Sequence, residues 1–461
     1  MIPSFRNVTP AAPVLIAASS FVPHFYRFAM KPTLLPSLLA AFSVVTLAAQ
    51  AEDWARFRGP NGTGVSSSKN LPDKIDETNT VWSIPSGTGW SSPVVFHDKL
   101  VFTAETGAGH RAVVCVNAAT GKELWRHEES FVSHKKHNFN SFASSTPFID
   151  AERIYVNWSS GTTIQALALS HDGKVLWHND HVADYIHEHG TAVSPVVADG
   201  IFIVRSEFNS EKEGKDLTTS PEQKEWKSCF VGLDAATGKQ KWKHEIPNCL
   251  NTFSTPVVRD LPGGKHEFIC SDTGSGVMGI DTLTGNVNWQ HNPGYKQRSL
   301  GSAAFQDGIY FTTFGSGGGG KETAALDLTG AKPKALDFSL GKGLPYVPTP
   351  LVVGDYMYLL GDGGILKCVE FKTGKEVYEE RLNGTKGSSK FFSSPVAADG
   401  KIYCGSQQGD VIVVKAGPKF EQLSASKLDS AINATPAIAY DHLFVRTEKS
   451  LYCVGAKPRL P

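Results

Sequence analysis

The sequence predicts an all-β fold, an eight-bladed β-propeller of four-stranded repeats whose ring is closed by an N-terminal outer strand. Three observations predict it. First, a Ser/Thr-Pro start recurs at Pro93, Pro147, Pro195, Pro256, Pro350, Pro395 and Pro436, and a degenerate copy, Gly301-Ser302-Ala303-Ala304, falls where an eighth is due. Second, successive starts lie 41 to 61 residues apart, within or a little above the length of one four-stranded blade. Third, the ends are complementary: the last copy stops after its third strand, at Leu451 to Val454, while Val81-Trp82-Ser83 matches an orphan Trp-bearing fourth strand. Joining the two closes the ring and removes open edges that would otherwise template aggregation, and the even spacing and complementary ends argue against two smaller propellers.

Each segment of the unit has a physical reason. Proline at the first strand's start, as in Ser91-Ser92-Pro93-Val94-Val95, fixes the backbone without losing a ladder hydrogen bond, and Val-Val suits a strand buried between blades. A two-residue turn then leads to the second strand; it is read at Asp98-Lys99 in the first unit and at Asp199-Gly200, Asp307-Gly308 and Asp399-Gly400 in later ones. The third strand ends in Asp-x-x-Thr-Gly, cleanly at Asp234 to Gly238 and Asp281 to Gly285, where glycine supplies a positive φ. Trp125, Trp177, Trp242, Trp289 and Tyr378 recur on the fourth strand and are expected to pack between blades.

The 45 basic and 45 acidic side chains leave no excess charge to hold nucleic acid or an anionic membrane, so neither partner is expected. Met30-Lys31, the apolar run Leu34 to Leu47 and Ala49-Gln50-Ala51 read as a signal peptide; a membrane span would take roughly 20 apolar residues. The chain therefore divides into 1–29, an over-extended N-terminus ahead of a true start at Met30; 30–51, a signal peptide cleaved after Ala51; and 52–461, the propeller. A periplasmic or extracellular monomer without a membrane span is expected. The seven cysteines form no CxxC and no adjacent pair, so no zinc or redox motif is written. Cys115, Cys368 and Cys453 share one place in three repeats, which marks them as small core residues; Cys229 and Cys249 could pair.

The unit Ser/Thr-x-Pro-Val-Val followed by Asp-x-x-Thr-Gly-Lys-x-x-Trp resembles the pyrroloquinoline quinone (PQQ)-like repeat family over about four fifths of the chain, Val81 to Val454. The opening Asp53-Trp54-Ala55-Arg56-Phe57-Arg58-Gly59-Pro60-Asn61-Gly62-Thr63-Gly64 looks like the start of its secreted bacterial members. The resemblance implies one of two functions. One branch holds non-catalytic propellers similar to the outer-membrane assembly factor of the BAM complex. The other holds quinoprotein dehydrogenases with PQQ and Ca2+ in the funnel; these typically carry an adjacent Cys-Cys disulfide and long insertions, and this chain has neither the cysteine pair nor the room. No Asp/Glu/Asn set here matches their calcium ligands and catalytic base. The expectation is a non-catalytic propeller that binds a protein, peptide or glycan at its funnel face, with no cofactor and no catalytic residue. The alternative is a PQQ-dependent quinoprotein dehydrogenase acting on an alcohol or sugar, which would need PQQ and Ca2+.

In a propeller the loops before each first strand converge around the central funnel. Reading upstream of each start gives Trp90, His137 with Asn138 and Asn140, His187-Glu188-His189, Asn251, Arg298, Tyr346, Lys390 and Asn433, a polar and aromatic ring suited to a ligand. His134 to Asn140 and His181 to His189 should be neighbours; their imidazoles and Glu188 could chelate a metal, although a rim that hydrogen-bonds its own loops is the commoner arrangement. Gly315 to Lys321 imitates a phosphate-binding loop, but Glu322 replaces the required Ser or Thr and no helix follows, so a hairpin loop is expected. The charged insertion Glu207 to Lys227 is read as a solvated loop, with a lid over the funnel as the competing arrangement.

Overall fold

Eight four-stranded antiparallel sheets make up the ring in the computed structural model, which describes residues 52–456 except 210, 213, 214, 217, 219, 248, 249 and 331. The signal peptide, its cleavage after Ala51 and the Cys229 to Cys249 pairing lie outside the described residues. Blade 1 runs Val94–Phe96, Lys99–Gly107, His110–Asn117 and Glu123–Ser130 from the axis outward. Blades 2 to 7 repeat this order from inner strands beginning at Phe148, Val196, Val257, Ala304, Leu351 and Val396. Blade 8 takes Ala437–Ala439, His442–Arg446 and Ser450–Gly455 from the end of the chain and its outer strand from Thr80–Pro85, with Trp82 opposite Cys453 and Ile84 opposite Leu451. The ring closure expected from the orphan Trp-bearing strand is therefore present.

The turns follow the expected chemistry with one correction. Asp199, Asp307 and Asp399 and the glycines after them all have positive φ, as two-residue hairpins of mirror-image type require. In blade 1 the turn is His97-Asp98, one residue earlier than read, because Lys99 already pairs with Phe96. The core lies between the blades. Val101 packs toward blade 2 and its neighbour Phe102 toward blade 8, so alternate residues of one strand serve opposite faces and the strand reads as continuously apolar. Cys115, Cys368 and Cys453 are fully buried in these clusters, as their repeated position implied.

The recurrent tryptophans join neighbouring blades. Trp82, Trp125, Trp177 and Trp242 each place the indole against the turn glycine of the next blade, Gly121, Gly173, Gly238 and Gly285, where a Cβ would come within 2.8, 2.7, 2.4 and 2.6 Å of the ring. Their indole N–H groups donate to Ala118, His171, Ala235 and Thr282 carbonyls of those same blades at 2.9 to 3.0 Å. The glycine thus serves a close approach as well as a positive φ. Trp289 departs from the pattern and donates to Glu267 of its own blade.

The hydroxyl before each proline has a role that reading the proline alone missed. The backbone N–H of Ser92 donates to Thr146 Oγ1, Thr146 to Ser194 Oγ, Ser194 to Thr255 Oγ1 and Thr255 to Ser302 Oγ, at 2.8 to 3.3 Å. Ser302 continues to Thr349, Thr349 to Ser394, Ser394 to Thr435, and Thr435 returns to Ser92, at 3.0 to 3.1 Å. Eight bonds, one per blade junction, close a ring around the axis in which serine and threonine alternate. Blade 5 lost its proline but kept Ser302, so the hydroxyl is the invariant part of the signature within this chain.

Residues 53–66 cross this ring. Trp54 pairs with Val95 of blade 1, Ala55 accepts from Ile149 of blade 2, and the Asn61 amide bonds both ways with Val258 of blade 4. Arg56 donates to Pro256 of blade 4, Arg58 to Pro350 and Pro395 of blades 6 and 7, and Gly64 and Ser66 pair with Ala397 of blade 7. The opening motif is a plug that ties five inner strands together and closes the channel beneath the funnel.

Candidate functional site

Above the plug is a cavity of about 730 Å³ lined from all eight blades. Its lowest level is the hydroxyl ring, its floor includes Phe57 of the plug, and its walls come from the loops before the inner strands. Nine of the eleven residues read from the sequence line it: Trp90, His137, Asn140, His189, Asn251, Arg298, Tyr346, Lys390 and Asn433. His187 and Glu188 do not.

His187 is 3% exposed, and burial together with the nearby His189, Arg298 and Arg205 lowers its pKa to about 3, so the ring is neutral; its Nδ1 accepts the His189 N–H. Alternation accounts for Glu188, which points to the opposite side from its neighbour His189, whereas His187 is withdrawn by its burial. Glu188 turns behind the wall, 3.2 Å from His189 Nδ1 and 3.8 Å from Arg298 Nη2, and so positions two cavity residues without facing the cavity.

The remaining wall residues divide between holding loops and presenting groups. Asn140 is spent on structure: its Nδ2 donates to the His189 carbonyl and its Oδ1 accepts from the Ser141 N–H and Ser144 hydroxyl. His137 and His189 stack at 5.3 Å and 11°, joined by a backbone bond from His137 N–H to the His189 carbonyl. Asn433 accepts from Gln407 and donates to Glu448. By contrast, Trp90 Nε1, Arg298 Nε and Asn251 Oδ1, on residues that line the cavity, are buried without a hydrogen-bond partner.

Several lining residues were not foreseen. Phe139, Phe253 and Phe392 stand in the very loops that were read for polar groups, and Phe139 meets Phe392 edge to face at 5.4 Å. Asp362 and Gln407 come from loops after the second strands, and Gly317 and Gly318 from the turn of the glycine-rich hairpin Ile309–Ser316 to Gly319–Asp327, none of which carries a signal in the repeat. The described part of the 207–227 insertion does not line the cavity; Phe208 packs on Trp226 at 6.1 Å.

Among the described residues no group of three or more His, Cys, Asp or Glu side chains could hold a metal. His134 is occupied by Ser159 and the Lys135 carbonyl, and His181 by Asp184. The donors also fit a calcium and quinone pair poorly. Calcium takes six to eight oxygens, yet the described carboxylate lining is Asp362, whose Oδ1 is taken by the Tyr346 and Val347 amides. Glu207 and Asp272, behind the wall, are held by Arg205 at 3.2 and 3.3 Å.

A family profile described as outer membrane protein assembly factor BamB matches residues 73–247, 222–307 and 341–457. A protein of that description from Burkholderia pseudomallei is 32% identical over 110 residues, a match that spans 24% of this chain and 27% of that relative. Among solved structures, BamB from Moraxella catarrhalis superposes with a TM-score of 0.56 at 15% identity, covering 82% of this chain and 97% of that one. A quinohemoprotein alcohol dehydrogenase from Comamonas testosteroni gives 0.55 at 12%, covering 89% and 81%. At such identities both likenesses speak for the fold alone. Among the described residues no helix is long and apolar enough to cross a membrane.

Proposed function

Because the chain belongs to the family described as outer membrane protein assembly factor BamB, we propose that it is an exported, non-catalytic propeller, released from a signal peptide at 30–51, whose funnel face binds a protein, peptide or glycan. It works as a monomer in the periplasm or outside the cell, and no cofactor takes part. The observation that supports this reading is the cavity itself: all eight blades contribute to it, aromatic side chains surround it, and Trp90, Arg298 and Asn251 are among the residues that line it. Of the ionisable groups nearby, Glu188 is tied to His189 and Arg298, and Glu207 to Arg205.

The test is to replace His137, His189 and Arg298 together with alanine and compare capture from an envelope extract of the native cell with that of the wild type, by mass spectrometry. The variant should melt within a few degrees of the wild type and lose specific partners. Unchanged capture places the binding face elsewhere, and dye-linked oxidation of an alcohol or sugar on adding PQQ and Ca2+ overturns the non-catalytic reading.

A further inference from the structure

The charge built into the funnel favours one sign. Arg56 and Arg58 in the plug are buried, and among the described residues neither is paired with a carboxylate. Their guanidiniums donate only to carbonyl oxygens, Arg56 to Pro256 at 2.6 Å and Arg58 to Pro395 and Pro350 at 2.8 and 3.1 Å and to Gly62 and Thr63 of its own segment. Those prolines directly follow Thr255, Ser394 and Thr349 of the hydroxyl ring, so both charges lie one residue beneath the floor. A guanidinium stays protonated at neutral pH even when burial lowers its pKa to about 10 or 9, as here.

The floor adds donors of its own. Each ring hydroxyl already accepts an amide N–H, and among the described residues none donates to the protein, so its O–H is the part left for the cavity. On the walls, Arg298 lines the cavity with the Glu188 carboxylate 3.8 Å from its Nη2, and Lys390 stands at the rim. Against these the described lining sets Asp362, whose carboxyl burial pushes upward toward the neutral form. Behind the wall, Arg205 bridges Glu207 and Asp272. At the mouth the character changes: Phe139 is 65% exposed and rests against Phe392. A cleft lined by one sign of charge concentrates ligands of the other. A free small anion would use the floor and leave the aromatic mouth bare, whereas a chain segment uses both.

We propose that the funnel selects an acidic peptide segment, its carboxylates over Arg298 and the donor floor and its apolar side chains against Phe139 and Phe392. This rests on the funnel being the binding face, and the experiment separates the two ideas. Three acetylated, amidated hexapeptides, each with two phenylalanines and either four Glu, four Gln or four Lys, are titrated into the protein labelled with 5-fluorotryptophan. The 19F resonance missing from Trp90→Phe reports occupancy whatever the charge. The Glu peptide should bind at least tenfold tighter than the Gln peptide, and the Lys peptide should not bind. Raising salt from 20 to 300 mM should weaken the Glu peptide, since exposed charge attraction is screened. Arg298→Gln should cost about tenfold, whereas Lys241→Gln, on the outside of blade 3, should cost nothing. Equal binding of Glu and Gln peptides at Trp90 overturns the charge selection and leaves the funnel reading standing. No shift at Trp90 with any peptide overturns the proposal, as does inorganic phosphate or succinate binding as tightly as the Glu peptide, which would assign the site to free anions.

Discussion

Changing Thr146, Thr255, Thr349 and Thr435 together to valine removes every second hydroxyl of the axial ring while keeping side-chain shape. The amides of Ser92, Ser194, Ser302 and Ser394 then lose their acceptors, now at 2.9, 3.3, 3.0 and 3.1 Å. Leaving a buried amide unsatisfied costs roughly 1–3 kcal/mol. The ring faces a cavity that admits water, so the lower half of that range applies, and four orphaned amides sum to about 4–8 kcal/mol. With an unfolding entropy of about 0.85 kcal/mol/K for some 400 residues, the melting temperature should fall by about 5–10 °C. The same four positions changed to serine keep all eight bonds and lose four methyl groups, at most about 0.8 kcal/mol each. Calorimetry should therefore rank wild type above the serine variant and the serine variant above the valine variant. If packing rather than hydrogen bonding holds the axis, the order of the two variants reverses, and that result would refute the role given to the ring.

Two further outcomes follow from the junctions between blades. Gly238→Ala sets a Cβ 2.4 Å from Trp177 at a φ of +70°, whereas Gly263→Ala, at +81°, meets nothing within 4 Å. Chemical denaturation should show roughly 2–4 kcal/mol lost in the first and about 1–2 in the second, and equal losses would mean the indole yields without cost. On the outer strands Glu129 lies 3.1 Å from His127 and 3.2 Å from His178. Burial pushes the Glu129 carboxyl up, but bonds from the two imidazoles outweigh it and hold it at about 2, while the bond to Glu129 raises His178. The carboxylate's stabilisation is present above its unfolded pKa of about 4.5 and lost as the pH falls toward 2; the imidazole's is full below about 6.5 and lost as pH rises through its raised value. The penalty of Glu129→Gln should therefore be largest near pH 5.5 and smaller at pH 8, and a flat difference between wild type and variant would contradict the pairing.

The fold was legible because the same bonds recur at each junction and therefore recur in the letters. Trp125 and Gly173 stand in different repeats yet are two halves of one contact, and the four such contacts in this chain print themselves as a Trp and a turn glycine at fixed places, three of the glycines following Thr. The closing strand was legible for the same reason, since Trp82 lacked the three strands that its position demands. What escaped was whatever serves the axis rather than a blade. Phe57 reaches the cavity in a plug whose flanking Arg56 and Arg58 are anchored to carbonyls some 200 to 340 residues away in sequence.

The same reasoning explains why site residues were found by place and not by chemistry. The loops before the inner strands are located by the repeat, so their occupants could be read off, and nine of eleven do face the cavity. Which of them are free to act depends on neighbours outside the repeat. Asn140 and Asn251 look alike in sequence, each a polar residue shortly before a strand start. Asn140 is consumed by His189 and Ser144, whereas the Asn251 oxygen is buried without a hydrogen-bond partner. Asp362, meanwhile, is neither a repeat letter nor in a loop that was read, yet it is the carboxyl group of the described cavity lining. If the funnel is the binding face proposed above, substitutions at Arg298, Asn251 and Asp362 should alter ligand choice with little effect on the ring, whereas substitutions at the alternating hydroxyls should weaken the ring and remove the floor donors together.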